Sequence, residues 1–203
     1  MKKCAVLFLL IYAINLQSQN QLEALSFLNR TDFKVGYYGN FVWNNGINLG
    51  LEYGLYEKKI KKERRSGTKI ISHHLLLNGS LGFSTNFRSN TENSLHTYYG
   101  FIWRRTSSRR WQLNFELNPL GYYRSFLPET FEVKGDEVTE IKFPGRSYYT
   151  PSTSIGFGKM RKESGLSAWY LNLNFSLKTN YNAGVLPMVS LQYGYRFNFK
   201  KKK

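Results

Sequence analysis

The chain has 203 residues, a formal charge of +16 and 17% aromatic residues. This length suits one domain, and its single cysteine, Cys4, excludes a disulfide framework and a thiolate metal site. Such basicity would ordinarily suggest nucleic acid as a partner, but an export signal and the spacing of the charges argue against it.

Residues 1–19 have the features of a cleaved secretory signal. Two lysines precede an apolar run, 4–14, which is too short to span a bilayer, and polar residues follow. Cys4 lies at the start of this run rather than after it, which argues against a lipoprotein anchor. Residues 20–30 are then expected to form a periplasmic leader with at most a short helical turn.

Alternation with a period of two dominates the chain after residue 30 and predicts strands with one apolar and one polar face. Each segment has about 10–15 residues, which is enough for a tilted transmembrane strand. Eight strands are predicted, with the fifth and seventh recognised from their clearest stretches: 33–43, 47–56, 70–84, 95–105, 111–118, 148–160, 169–178 and 185–199.

Eight strands joined by turns predict an all-β fold, an eight-stranded antiparallel transmembrane β-barrel over residues 31–199, followed by a basic tail, 200–203. The apolar face would contact lipid, and Asn, Ser, Gly and Gln would fill the narrow lumen. Sequence parity alone cannot say which face points inward. A soluble, exported barrel of lipocalin type, with its apolar face around a ligand, is therefore an alternative.

The connections separate the charges between two rims. With the N-terminus in the periplasm, the connections 57–68, 106–109 and 161–165 and the C-terminus share one rim, together with more than half of the 29 Lys and Arg residues. Such a rim would be attracted to anionic phospholipid headgroups by about 1 kcal/mol per charge. The longest connection, 124–147, is acidic, contains a predicted hairpin and is the expected contact region for an unidentified extracellular partner.

Aromatic residues occur near both predicted rims, as expected where amphipathic rings meet lipid headgroups. The tryptophans are the predicted interface anchors: Trp43, Trp103, Trp111 and Trp169.

Several ionisable residues fall on the inward parity. Because unpaired charges in a narrow barrel are costly, Glu52 or Glu116 is expected to bridge Arg196 or Lys178 and to plug the lumen. No cofactor, metal or catalytic set is predicted. A lipid-modifying enzyme is the alternative, and it would need His96 or His73 within hydrogen-bond reach of serine and glutamate side chains.

The last strand resembles the C-terminal assembly signal of bacterial outer-membrane barrels, through Gln192, Gly194, Phe197 and Phe199. That resemblance implies that the barrel-assembly machinery would read these residues as an added edge strand. Over residues 30–199 the chain is similar to small monomeric barrels of the OmpA-transmembrane or OmpX kind. The stretch 118–130 resembles uncharacterised Bacteroidota barrel proteins. An outer-membrane location in contact with lipid, a monomeric state and no nucleic-acid partner are the expectations that follow.

Overall fold

The structure is a computed structural model that describes residues 27–40, 44–64, 67–86, 93–128, 130–134, 137–161, 167–181 and 184–198. A helical turn at 27–29 precedes the first strand. No helix in these ranges is long and apolar enough to cross a membrane. The strands are β1 (Thr31–Gly39), β2 (Asn45–Arg64), β3 (Gly67–Thr85), β4 (Asn93–Thr106), β5 (Trp111–Phe126), β6 (Phe131–Lys134), β7 (Glu137–Glu140), β8 (Gly145–Tyr149), β9 (Ser152–Met160), β10 (Ser167–Tyr181) and β11 (Gly184–Asn198).

The main sheet closes on itself as a ring of antiparallel strands. β1 to β5 pair in chain order, β5 pairs with β9, and β9 leads through β10 and β11 back to β1. β8 also pairs with β5 and forms one stave of the ring together with β9. Only Thr150 and Pro151 separate β8 from β9 along the chain. The predicted eight-stranded antiparallel barrel is therefore confirmed.

The alternation places apolar side chains on the outer wall and polar side chains in the lumen. Along β5, outward-facing residues are exposed and inward-facing ones are buried. The outward set is Trp111, Leu113, Phe115 and Leu117, and the inward set is Gln112, Asn114, Glu116 and Asn118. The lipocalin-type alternative is wrong, because it requires the apolar set around the axis.

A bulge accommodates a proline within β5. The register shifts where Tyr99 pairs with Leu120 but Phe101 pairs with Leu117, so that Pro119 falls in the irregularity. Gly100 lies opposite this point, where a Cβ atom would be 2.0 Å from the Leu117 carbonyl oxygen. Only glycine permits so close an approach of the two backbones.

The predicted connection 57–68 is wrong, because β2 and β3 continue almost to the tip of their hairpin. Glu57 pairs with His74, and the ladder runs on to Arg64 and Gly67. A register shift between Gly54 and Tyr56 inserts one extra residue. Such a bulge exchanges the inward and outward positions of the following residues. The alternation of apolar and polar residues in the sequence is therefore interrupted at that point.

The long connection after β5 contains the predicted hairpin. β6 and β7 form a separate two-stranded sheet in which Val133 pairs with Val138. This hairpin lies at the long-loop end of the barrel. The opposite end, where β1 begins and β11 ends, carries the basic clusters and is called the basic end.

Candidate functional site: a charged lumen between two rims

The lumen near the basic end contains a buried ion-pair network, called the charged layer (Lys34, Glu52, Arg104, Glu116 and Arg196). Glu52 is fully buried and contacts three cations. Its Oε1 lies 3.6 Å from Lys34 Nζ and 3.8 Å from Arg196 Nε. Its Oε2 accepts a charge-assisted hydrogen bond from Arg104 Nη2.

A second carboxylate extends the charged layer across the barrel. Glu116 Oε1 lies 3.7 Å from Lys34 Nζ and accepts a hydrogen bond of 2.7 Å from Asn172 Nδ2. Lys34 thus bridges acids on two staves that are not neighbours in the ring. Removing one partner from such a network leaves an uncompensated buried charge, which costs far more than the intact network contributes.

Neutral side chains accept hydrogen bonds from the two arginines. Arg104 Nε donates to Asn114 Oδ1 at 2.7 Å, and Arg196 Nη1 donates to Gln112 Oε1 at 3.2 Å. Asp32 Oδ2, half-exposed at the basic end, lies 3.6 Å from Arg104 Nη1. A cavity of about 500 Å³ at the basic end has Arg104 and Arg196 in its wall.

The structure brings together three of the four predicted lumen residues, namely Glu52, Glu116 and Arg196. The structure does not place Lys178 in the charged layer, because its Nζ lies in the aromatic part of the lumen, 3.9 Å from the ring centroid of Tyr123. Lys178 is six residues beyond Asn172 on β10, which is about 20 Å along a strand. Parity identified the inward face correctly, but not the height along the axis.

The predicted ion-pair network lacks two members of the charged layer, Lys34 and Arg104, and also Asp32 beside it. Lys34 and Asp32 lie on β1, where Phe33 and Val35 face outward. The signal was present, because a lysine between two outward apolar residues has inward parity.

Aromatic side chains fill the lumen toward the long-loop end, forming the aromatic layer (Tyr38, His96, Tyr98, Tyr123 and Tyr148). The His96 ring is fully buried, with centroid distances of 4.2 Å to Tyr38 and 5.4 Å to Tyr98. Neither ring nitrogen of His96 has a hydrogen-bond partner within the described part of the chain.

The catalytic set that the enzyme alternative requires is not assembled among the described residues. His96 lies among rings, and Glu116 is held by Lys34 and Asn172 in the other layer. His73 lies on the outer wall with its ring 5.6 Å from Trp103. In the described ranges, no group of three His, Cys, Asp or Glu residues could hold a metal ion.

The outer wall carries a continuous apolar belt to which every stave contributes. Along β10 the belt runs from Trp169 to Leu177, about 26 Å along the strand. Strand tilt reduces that length to about 20 Å along the barrel axis. Each stave contributes exposed apolar residues to the belt; one from each stave, in chain order, is Val35, Leu49, Leu77, Phe101, Phe115, Phe157, Phe175 and Val189.

Three of the predicted anchor tryptophans lie at the basic end of this belt, and Trp43 lies outside the described residues. Trp111 and Trp169 meet edge to face at 6.0 Å, and Lys159 Nζ lies 5.0 Å from the Trp111 ring centroid. Trp103 lies on the same rim, with its ring tilted by 37° to that of His73.

Tyrosines line the opposite end of the belt. In each consecutive tyrosine pair one ring faces outward and the other enters the aromatic layer, as strand alternation requires. The outward members are Tyr37, Tyr99, Tyr122 and Tyr149, and the inward members are Tyr38, Tyr98, Tyr123 and Tyr148.

The predicted assembly signal lies on the closing strand. Gln192 and Gly194 face the lumen, and the Phe197 ring stacks on Phe33 of β1 at 6.0 Å. Phe199 lies outside the described residues.

No protein-family model matches the chain, and no curated protein matches it. A search of solved structures finds the β domain of the Bordetella autotransporter BrkA, with a TM-score of 0.30 and 10% identity, covering 83% of this chain and 98% of that one. A similarity at this level carries no argument. The fold assignment rests on the strand pairing.

Proposed function

We propose that the chain is an integral β-barrel of a bacterial outer membrane with a structural or interaction role. The apolar belt on all eight staves carries this proposal, because soluble monomers rarely expose contiguous apolar patches larger than a few hundred Å². Rings at both ends of the belt and a long loop at one end are typical of such barrels. The signal-like segment 1–19 and the closing-strand pattern add support from sequence.

Detergent dependence tests the membrane proposal directly. Refolded protein should stay in solution only with detergent or lipid, and unboiled samples should migrate differently from boiled samples on a denaturing gel. Boiling opens the closed sheet and changes the hydrodynamic size of the chain. A monodisperse, folded protein in detergent-free buffer would contradict the proposal.

The orientation of the barrel follows from the same proposal. The acidic hairpin of β6 and β7 would face the medium, and the basic end would face the periplasm. In intact cells, a membrane-impermeant maleimide should label a Glu137→Cys variant, whereas Lys62→Cys should react only after the outer membrane is permeabilised. Since Cys4 lies in the predicted signal, the mature chain would offer no competing thiol. The reverse labelling pattern would invert the orientation.

We further propose that the lumen is plugged and that the role is non-catalytic. The charged layer spans the lumen near one end, the aromatic layer occupies the other, and eight staves leave little interior space. In planar bilayers the protein should give no steady open conductance, and phospholipid vesicles should release no fatty acid above background. A stable channel, or hydrolysis lost in His96→Ala, would contradict these two statements respectively.

The outer loop is the proposed contact region for an extracellular partner. Phe131, Val133, Val138 and Phe143 are all exposed there, beside the acidic residues of the same hairpin. Exposed apolar side chains within a charged loop are typical of interaction sites.

A further inference from the structure

The hairpin of β2 and β3 extends beyond the basic end of the barrel wall. Its protruding part, called the basic arm, consists of residues 55–64 of β2 and 67–71 of β3. β1 pairs with β2 no further than Tyr53, and β4 pairs with β3 no further than Ser72. The arm therefore reaches about 33 Å along the strand beyond the last β1 partner.

One edge of the arm carries unpaired backbone groups. Among the described residues, β2 from residue 55 onward is paired only on its β3 side. An exposed strand edge is a template for another strand, since it presents unpaired N–H and C=O groups in a row. Proteins commonly guard such edges with lysines, which makes pairing between two copies unfavourable.

The outer face of the arm is cationic. Ladder parity places Lys58 and Lys62 on this face, whereas Lys59 and Lys61 share the other face with Glu57 and Glu63. Lys59 Nζ lies 3.2 Å from Glu57 Oε1, so the charges of that other face largely balance. Lys62 lies directly opposite Lys69, a like-charge cross-strand pair that destabilises the isolated arm. An acidic strand beside the arm would relieve this repulsion, and a second basic arm would increase it.

Lipid headgroups account for only the base of the arm. On the outer face the apolar belt ends at Tyr56, and Lys58 follows at headgroup level. Lys62 lies six residues beyond Tyr56, about 20 Å along the strand and about 15 Å along the axis after tilt. A headgroup layer is only about 5–8 Å deep on each side of the bilayer. The cations near the tip therefore face the aqueous phase.

We propose that the free edge of β2 in the basic arm binds an acidic, extended peptide segment of another protein by strand addition. Backbone hydrogen bonds to the edge would supply affinity, and the lysines of the outer face would select carboxylate side chains. Ile60, paired with Ile71, supplies an apolar contact between the lysines of the outer face. A periplasmic location of the partner rests on the proposed orientation of the barrel. The free strand edge and its charges do not depend on that orientation.

The test uses the full barrel in neutral detergent micelles and a fluorescent octapeptide of alternating Glu and Thr. A second octapeptide has the same charge, but two central threonines are replaced by proline, so it cannot form a strand ladder. The alternating peptide should bind at least tenfold more tightly, as measured by anisotropy. It should also slow backbone hydrogen exchange in residues 56–64.

Matched variants separate the edge from general charge. Lys58→Gln/Lys62→Gln should weaken binding at least tenfold, and Lys58→Arg/Lys62→Arg should stay within threefold of the wild type. Arg105→Gln/Arg109→Gln, which removes two cations from the rim outside the arm, should leave binding unchanged. These side chains are exposed, so folding is preserved in all three variants.

Equal binding of the two peptides, or equal weakening in the rim variant, would overturn the proposal in favour of unspecific charge attraction. Slowed exchange across the whole arm in phosphatidylglycerol bilayers, without any effect of the peptide, would assign the arm to lipid instead. Because binding is measured in micelles, failure here leaves the membrane proposal standing. If the protein instead stays folded in solution without detergent, the membrane proposal fails, but the peptide-binding measurement still tests strand addition to the arm.

Discussion

The charged layer and the aromatic layer fill the same tube by opposite means. In the charged layer, three cations share two buried carboxylates through contacts that join non-neighbouring staves. In the aromatic layer, rings occupy the volume, and His96 keeps both nitrogens without a hydrogen bond among the described residues. The stability of the charged layer therefore depends on each of its charges, whereas the stability of the aromatic layer depends on how well its rings fit together. Coupled charges are sensitive to any single loss, and packed rings are sensitive to added volume.

The largest effect is expected from Glu52→Gln. Loss of this carboxylate leaves Lys34, Arg104 and Arg196 with only Glu116 and the half-exposed Asp32. An uncompensated buried charge should lower the free energy of unfolding by about 3–5 kcal/mol, as measured by urea titration in lipid vesicles. The control, Glu137→Gln on the exposed β7, should stay within about 0.5 kcal/mol of the wild type. Similar values for both variants would mean that the charged layer is not a coupled unit.

An intermediate effect is expected from Gly82→Ala in the aromatic layer. A Cβ atom there would lie 2.0 Å from His96 Nε2, so the ring would have to move against its neighbours. Overpacking of this kind costs about 1–3 kcal/mol. Gly79→Ala is the control, since its Cβ would lie 3.5 Å from the Tyr99 ring, in ordinary contact.

A double variant sharpens this second expectation. His96→Ala should remove most of the penalty of Gly82→Ala, because the three atoms nearest to the added Cβ all belong to that ring. An undiminished penalty in the double variant would show that the backbone, rather than the ring, excludes a side chain at residue 82.

The smallest effect is expected from Lys178→Met. The variant keeps the aliphatic stem and loses the cation over the Tyr123 ring, a contribution of about 1–2 kcal/mol. Combined with Glu52→Gln, its effect should add within about 0.5 kcal/mol, because the two residues belong to separate layers. A coupling energy well above that value would place Lys178 in the ion-pair network after all.

The wall of the barrel could be predicted from the sequence because alternation is local. The stretch from Trp111 to Asn118 fixes its own two faces without reference to any other strand. For the same reason, the parity of Glu52, Glu116, Arg196 and Lys178 was correct, and Lys34 could have been added.

Axial height and strand ends could not be predicted, because they depend on register between strands. Lys178 faces inward but at the wrong height for Glu116, which only the pairing of β10 with its neighbours determines. The bulge between Gly54 and Tyr56 reversed the parity and made a long hairpin arm resemble a charged turn. One inserted residue therefore concealed the surface on which the strand-addition proposal rests.

The pairing of β1 with β11 has a consequence for assembly. Asn198 donates a hydrogen bond to Asp32, a contact between residues 166 positions apart in the chain. β1 therefore cannot pair with β11, its second neighbour in the ring, until this final strand has been synthesised. During that interval Lys34 lacks the enclosed site in which it joins Glu52 to Glu116. The seam thus cannot form before the last strand has been made, and its closure encloses three cations within the lumen.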